Sequence, residues 1–300
     1  MKGPAAEGES RPSTGRGRVH DLIAAHGTLM FPGAYDALSA KLVERAGFEL
    51  TFISGYSVSA ARLGEPDFGL LTQTEIVEAA RSVCRAVHIP VIVDADTGYG
   101  NPLNVIRTVE ELIAAGAAGM FLEDQVWPKR CGHMKGKKVV PLEEYLPKIR
   151  AAADARAGRD FFIVARTDAR QAIDLDEAIR RVLAAREAGA DAGFVEAPSS
   201  IEELREVARR VPGPLVANML ERGVTPLLTR DELRDLGYAL AVCPLTAIYA
   251  AAKAMKDVYS HLRAHGTTRD ILDRLLPFDE FHDLVRLEEK YALDAKYADR

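Results

Sequence analysis

Cysteine is scarce in this chain: its 300 residues hold Cys84, Cys131 and Cys243 and no others. So odd and scattered a set, with no C-x-x-C spacing, supplies neither a disulfide framework nor a zinc knuckle, and a reducing, cytoplasmic setting is expected. Basic excess is missing as well. Lys and Arg number 39 against 44 Asp and Glu, a net charge of −5, so no field draws in nucleic acid. No apolar run approaches the roughly 18 residues of a membrane-spanning helix. The opening stretch, residues 1–18, lacks the apolar centre of a secretory signal, and its Gly, Pro, Ser and Arg bury too little surface to order it. A disordered tail is expected there.

What is present is globular: 48% hydrophobic and 28% charged residues, with enough chain for one α/β barrel of about 250 residues. Short β-branched or apolar runs alternate with longer amphipathic ones. The candidate strands are Thr28–Phe31, Leu50–Ser54, Val91–Asp94, Gly119–Glu123, Phe161–Arg166, Gly193–Glu196, Leu215–Asn218 and Ala239–Val242. Helical periodicity fills Asp36–Ala46, Gln73–Val87, Asn104–Ala115, Leu142–Arg156, Leu175–Ala188 and Ile201–Arg210. Gly47, Gly116 and Gly189 stand where a left-handed stop belongs. Strict alternation implies a parallel sheet, and eight repeats imply a closed (β/α)₈ barrel over residues 19–265. An open doubly wound sheet is the alternative. Residues 266–300 form a helical extension: after a helix over Leu245–Leu262 and a break at His265-Gly266-Thr267, Ile271–Leu276 and Phe281–Tyr297 hold more helix than eight repeats need.

Polar residues gather at the C-terminal ends of the candidate strands: Ser54, Asp94 with Asp96, Glu123 with Asp124, Arg166 with Asp168, Glu196 and Asn218. In a barrel those ends meet at one mouth, where active sites of this architecture lie. Val93-Asp94-Ala95-Asp96-Thr97-Gly98-Tyr99-Gly100 places two carboxylates at one exit, and Glu123-Asp124 adds two at the next. Such a hard-oxygen cavity suits Mg²⁺, with Mn²⁺ also admissible; helix capping or bonding to loop amides is the competing use of these aspartates. Ser54-Gly55 offers amides to an anion or merely makes a tight turn. Arg166 either takes a carboxylate bidentately or ties Glu196 or Asp168 into an ion pair. Asn218 orients a carboxylate or caps a helix. In Lys129-Arg130-Cys131-Gly132-His133, a thiol stands among cations, a setting that favours thiolate. Cys131 there acts as nucleophile or proton carrier, with Gly132 and Gly136 giving the loop the freedom of a lid, or else it is an incidental thiol on a basic loop.

The Lys-Arg-Cys-Gly-His loop resembles the signature of the isocitrate lyase/phosphoenolpyruvate mutase superfamily. The small members come closest: methylisocitrate lyase, 2,3-dimethylmalate lyase, petal death protein, oxaloacetate hydrolase and carboxyphosphonoenolpyruvate mutase. The likeness runs from Pro32-Gly33-Ala34-Tyr35-Asp36 to Phe278-Asp279-Glu280-Phe281. It passes through Leu63-Gly64-Glu65-Pro66-Asp67, the D-A-D-T-G-Y-G run, Leu122-Glu123-Asp124-Gln125, Ala165-Arg166-Thr167-Asp168-Ala169-Arg170, Val195-Glu196-Ala197 and Ala217-Asn218-Met219. The resemblance implies a barrel whose last helix is exchanged between subunits of a homotetramer. It implies Asp96 as the direct Mg²⁺ ligand, with Asp67, Asp94 and Glu123 supporting the ion partly through water. It assigns Ser54, Gly55 and Tyr56 to a 2-oxo-carboxylate, Arg166 to an oxyanion or carboxylate, and Cys131 to protonation of a departing carbanion. Glu196, Asn218, Gly132 and His133 shape the far side, and Lys129 belongs to the catalytic loop.

The expected reaction is a Mg²⁺-dependent carbon–carbon cleavage of a 2-hydroxy acid of alkylmalate or methylisocitrate type, giving a 2-oxo acid and a carboxylate. Two other reactions compete. Carboxyphosphonoenolpyruvate mutase carries a similar loop, which leaves phosphorus–carbon chemistry open, whereas Cys131 speaks against the phosphonopyruvate mutases. Oxaloacetate hydrolases tend to have a serine near the last strand exit, where this chain reads Cys243-Pro244-Leu245-Thr246.

Overall fold

The computed structural model describes residues 18–131 and 136–298. Eight parallel strands form the centre: β1 Leu29–Ala34, β2 Thr51–Ile53, β3 Val91–Asp94, β4 Gly119–Glu123, β5 Phe162–Thr167, β6 Ala192–Val195, β7 Val216–Asn218 and β8 Leu240–Cys243. Their order is β6-β5-β4-β3-β2-β1-β8-β7, with every ladder parallel. The circle closes between β6 and β7 through a single bridge, Gly193 to Leu215, with the Gly193 amide donating to the Pro214 carbonyl at 3.0 Å. The result is a (β/α)₈ barrel with further helices at its C-terminal end. Among the described residues no helix is long and apolar enough to cross a membrane.

Side chains on a strand alternate between faces, so residues two apart share one. Here the inward set includes Phe31, Phe52, Ile92, Phe121, Val164, Phe194, Val216 and Val242, which pack into one buried cluster along the barrel axis. Below them Leu29, Leu50, Phe162, Ala192 and Leu240 continue the filling, and Val19, from the helix Arg18–His26, completes it from the N-terminal end. The opposite parity faces the surrounding helices. Ile53, Val93, Met120, Leu122 and Ile163 meet the helices Gln73–Ala86, Pro102–Ala115 and Leu142–Ala155. Val195, Ala217 and Ala241 meet Leu175–Glu187, Ile201–Arg210 and Arg230–Leu236.

Helix starts follow their capping chemistry. Thr72 and Glu75 form a reciprocal capping box at one helix, as do Thr229 and Glu232 at another, each satisfying two otherwise orphaned amides. Ser54 caps the helix Gly55–Leu63, its Oγ accepting from the Ser57 amide at 3.3 Å, and Gly64 ends it at φ 70°. The helix Thr246–His265 buries none of its residues and exposes Tyr249, Met255, Tyr259 and Leu262. After it come the 3₁₀ turn Arg269–Arg274 and the helices Phe278–Leu284 and Leu287–Ala298, which leave Leu272, Phe278, Tyr291 and Tyr297 exposed.

Candidate active site

One further step along the inward parity, apolar side chains give way to polar ones. Ser54 follows Phe52, Asp94 follows Ile92, Glu123 follows Phe121, Arg166 follows Val164, Glu196 follows Phe194 and Asn218 follows Val216. The same alternation that fills the barrel therefore lifts a ring of polar groups onto its apolar floor. The cleft above is about 440 Å³ including the part open to solvent. Its lining includes Ser54, Tyr56, Asp67, Asp94, Cys131, Arg166, Glu196 and Asn218, over Phe52, Phe121 and Phe194. Those three rings pack at centroid distances of 4.7 and 5.6 Å, and the Arg166 guanidinium lies 5.5 Å from the Phe194 centroid.

Four carboxylates make the acidic side. Asp94 Oδ2 accepts from the Gly55 amide at 3.3 Å and its Oδ1 from the Asp96 amide at 3.2 Å. A Cβ on Gly55 would stand 3.1 Å from Asp94 Oδ2, so glycine lets the helix Gly55–Leu63 begin against the carboxylates. Lys129 is buried between two of the others, its Nζ 2.6 Å from Asp67 Oδ1 and 2.6 Å from Asp96 Oδ1. Glu123 is 3.2 Å from Arg166 Nε, and neither of its carboxyl oxygens has a hydrogen-bond donor. Burial raises the Asp96 carboxyl against the pull of Lys129, with Asp94 and Asp67 adding to the rise. Burial likewise holds Glu123 well above the carboxylate range, in spite of Arg166.

This donor set fits a divalent cation. It offers hard oxygens only, and both Glu123 oxygens are buried without a hydrogen bond of ordinary geometry. Among the described residues no three acidic, histidine or cysteine side chains are gathered closely enough to hold an ion by themselves. The Lys129 ammonium supplies the positive charge at the Asp67–Asp96 side.

Arg166 faces acids on three sides: Asp168 at 3.0 Å, Glu123 at 3.2 Å and Glu196 at 3.3 Å. It thus ties Asp168 and Glu196 as the ion-pair reading expects, and it also lines the cleft. Asp168 is fully buried between Arg166 and Lys137, the latter at 2.5 Å. Burial alone would raise its carboxyl; the two cations outweigh burial and hold it below the usual range. Asn218 donates to both Glu196 oxygens at 3.2 and 3.3 Å, so its amide orients Glu196 and caps no helix.

Asp124 departs from the expected hard-oxygen cavity. Being one residue beyond Glu123, it has the opposite parity and accepts from Thr167 Oγ1 at 2.6 Å, the Asp168 amide at 2.9 Å and Arg181 at 3.0 Å. It ties β4 to β5 and to the helix Leu175–Glu187. Cys131 reaches the cleft because its loop is pinned at the base: Gln125 bonds both the amide and the carbonyl of Arg130, and the Cys131 amide donates to the Asp67 carbonyl at 3.3 Å. Gly132 and His133 lie outside the described residues. Sequence reading missed Leu220 and Tyr249, which with Pro244 and Leu245 form an apolar wall on the β7–β8 side. From there a groove of about 1520 Å³, solvent-open part included, runs outward past Tyr249. The signal for Leu245 and Pro244 was their place just beyond β8.

Comparison with known proteins agrees with this geometry. Residues 19–263 match the family model described as phosphoenolpyruvate phosphomutase. A chloroplastic carboxyvinyl-carboxyphosphonate phosphorylmutase of Arabidopsis thaliana is 54% identical over 94% of this chain and 84% of its own length. A 2,3-dimethylmalate lyase of Eubacterium barkeri is 46% identical over 94% and 97%. Among solved structures, an oxaloacetate acetylhydrolase in complex with 3,3-difluorooxalacetate superposes with a TM-score of 0.88 at 35% identity, covering 93% of this chain and 95% of the other. A phosphonopyruvate hydrolase in complex with oxalate and Mg²⁺ does so with 0.83 at 33%, covering 93% and 99%. The chain belongs to the phosphoenolpyruvate phosphomutase family, within the isocitrate lyase/phosphoenolpyruvate mutase superfamily.

Proposed function

We propose that the chain is a Mg²⁺-dependent carbon–carbon lyase that splits a substituted malate, a 2-hydroxy dicarboxylic acid, into a 2-oxo acid and a carboxylate. The observation that carries this reading is the cleft itself. An oxygen-only acidic ring, a charged Arg166, the Cys131 thiol and an apolar wall of Leu220, Val242 and Leu245 face one volume. Asp96 would hold the cation, with Asp67, Asp94 and Glu123 supporting it, some through water; Mn²⁺ meets the same donors. When bound, the cation supplies Lewis acidity toward the 2-hydroxyl and its neighbouring carboxylate.

The protein's own groups do the rest. Six carboxylates (Asp67, Asp94, Asp96, Glu123, Asp168 and Glu196) against Lys129, Lys137 and Arg166 leave the mouth short of positive charge for a dianionic acid, which is why a cation belongs there. The amides of Gly55 and Tyr56, with Ser54, bind the carboxylate at C2. Arg166 meets negative charge as it develops, and its own charge is held well above neutral by the acids around it. As C2–C3 breaks, the 2-hydroxyl gives its proton to a carboxylate of the acidic ring and its C–O bond becomes the carbonyl of the 2-oxo acid, while the electron pair of C2–C3 stays on C3 and spreads onto the adjoining carboxylate. Cys131 delivers a proton to that carbon. Glu196 and Asn218 position the far carboxylate together with His133 and Gly132, while Lys129 balances the acidic ring. The apolar wall takes the alkyl substituent.

The deciding assay follows 2-oxo-acid release from methylisocitrate, dimethylmalate, citramalate and oxaloacetate, with and without Mg²⁺. Cleavage of a substituted malate only with the cation is expected. Asp96→Ala should abolish turnover with folding intact; unchanged Mg²⁺-dependent activity in that variant removes the metal assignment. The phosphorylmutase relative at 54% identity favours a second reading, a phosphorus–carbon mutase. Conversion of carboxyphosphonoenolpyruvate with no cleavage of any malate would install it instead. Preferential hydrolysis of oxaloacetate would make the chain a hydrolase.

Assembly belongs to the same proposal. The exposed apolar side chains of Thr246–His265 and of the C-terminal helices suit packing against a second copy, with the last barrel helix exchanged in a homotetramer.

A further inference from the structure

Lys137 is buried, whereas its neighbour Lys138 is exposed. An ammonium taken out of water is costly unless good geometry compensates it, so the use of this burial needs a reason. Its Nζ lies 2.5 Å from Asp168 Oδ1. Backbone pairing brings it there. The Val126 amide donates to the Lys138 carbonyl at 2.8 Å, and Gln125 and Val139 form an antiparallel bridge. The chain leaving β4 toward Cys131 and the chain returning are thus joined at their base. Lys137 stands on the returning side.

Asp168 has a second cationic partner. Arg166 Nε donates to its Oδ2 at 3.0 Å and Arg166 Nη2 to its Oδ1 at 3.2 Å, so Lys137 and Arg166 share Oδ1. The carboxylate is fixed from its own backbone as well, because the Asp168 amide donates to Asp124 Oδ1 at 2.9 Å. Nη2 and Nε of Arg166 also face Glu196 and Glu123. Among the described residues Nη1 donates to no protein group, and the arginine lines the cleft. A guanidinium is planar and rigid, so a carboxylate that fixes its Nε–Nη2 edge also sets the direction of Nη1.

We propose that Lys137 is a positioning residue: by holding Asp168 Oδ1 from the loop side, it fixes the edge on which Arg166 rests and so directs Nη1 toward a substrate carboxylate. This rests on the anion-binding role given to Arg166 above. Lys137 does not line the cleft; it acts through Asp168.

Calorimetric titration of the full-length protein, well below its thermal midpoint, tests the assignment. The probes are Mg²⁺ alone and then oxalate with Mg²⁺ present, oxalate being a flat dianion that carries adjoining carboxylates. Lys137→Met keeps the apolar stem and removes the ammonium. It should bind oxalate about 10-fold more weakly, the scale of one misdirected hydrogen bond to a charged group, with Mg²⁺ affinity unchanged. Should Lys137→Met not fold, Lys137→Gln, which keeps a neutral donor toward Asp168, is read in its place with the same expected direction. Unchanged oxalate affinity overturns the proposal. Equal losses for Mg²⁺ and oxalate also overturn it, because a general loosening of the site then explains both and Lys137 is merely structural. Arg166→Met separates this failure from that of the underlying reading: if it binds oxalate as wild type does, or if wild type binds none, the role of Arg166 falls and this assignment falls with it.

Discussion

Asp168 sits where two buried cations converge, and its consequences are thermodynamic before they are chemical. A carboxyl held below its ordinary value contributes stability that is fully present above the unfolded pKa, about 3.9, and is lost as pH falls through the folded value. Acid should therefore unfold the wild type along a steep profile. Asp168→Asn should already be weakened at pH 7 by about 3–5 kcal/mol, since Lys137 and Arg166 keep their buried charge without it. Its further loss between pH 5 and 3 should be shallower, and urea midpoints over that range measure both effects. Cys131 poses a kinetic question at the same scale. Cys131→Ser should lower kcat by about 10²- to 10⁴-fold, the usual worth of a positioned acid, while KM stays within a few-fold. Normal turnover in that variant excludes the thiol as proton donor.

At the scale of elements, one close backbone approach in the barrel bears directly on the cleft. A Cβ on Gly33 of β1 would lie 2.3 Å from the Pro244 carbonyl oxygen, and that backbone has little room to move: Ser57 Oγ donates to the same oxygen at 3.2 Å. Gly33→Ala should cost about 1–3 kcal/mol, as overpacking does, and should raise KM as well, because Pro244 lines the cleft. Thermal melts and steady-state kinetics on the same preparation check the two effects; loss of stability with KM unchanged would mean that Pro244 does not contact substrate.

The elements also show where the sequence was readable. Strands were legible because each, buried on both faces, reads as a short apolar or β-branched run between longer amphipathic stretches, and the polar exits were legible because a barrel sends all eight to one end. Asp124 departs from the expected cavity for a reason of strand parity: Glu123 faces in, so its neighbour faces out. The helices Gly55–Leu63 and Arg230–Leu236 are short and carry weak periodicity, their signals being the caps Ser54 with Gly64 and Thr229 with Glu232. Asp67 was reachable only by resemblance, since it stands in a loop where no strand parity applies. The pairing of Lys137 with Asp168 and the seat of Lys129 between Asp67 and Asp96 join segments distant along the chain, and no local pattern encodes such meetings.

For the whole molecule, the apolar side chains left outside the barrel set the scale of assembly. Phe278 is 75% exposed, Tyr259 63% and Leu272 61%, more than a surface of isolated side chains needs to show. Removal of the chain from Ile271 onward should lower the oligomeric state measured by light scattering; an unchanged assembly defeats helix exchange. The packed rings of Phe52, Phe121 and Phe194 have a consequence at this scale too. They pack across the barrel beneath the polar ring, so among the described residues the cleft opens on the side of the strand exits. On the proposed carbon–carbon cleavage, two fragments formed there leave through that opening one after the other, the one seated deeper last. Product inhibition should then be unequal: the last fragment out competes with fresh substrate for the vacant chamber, and the first does not.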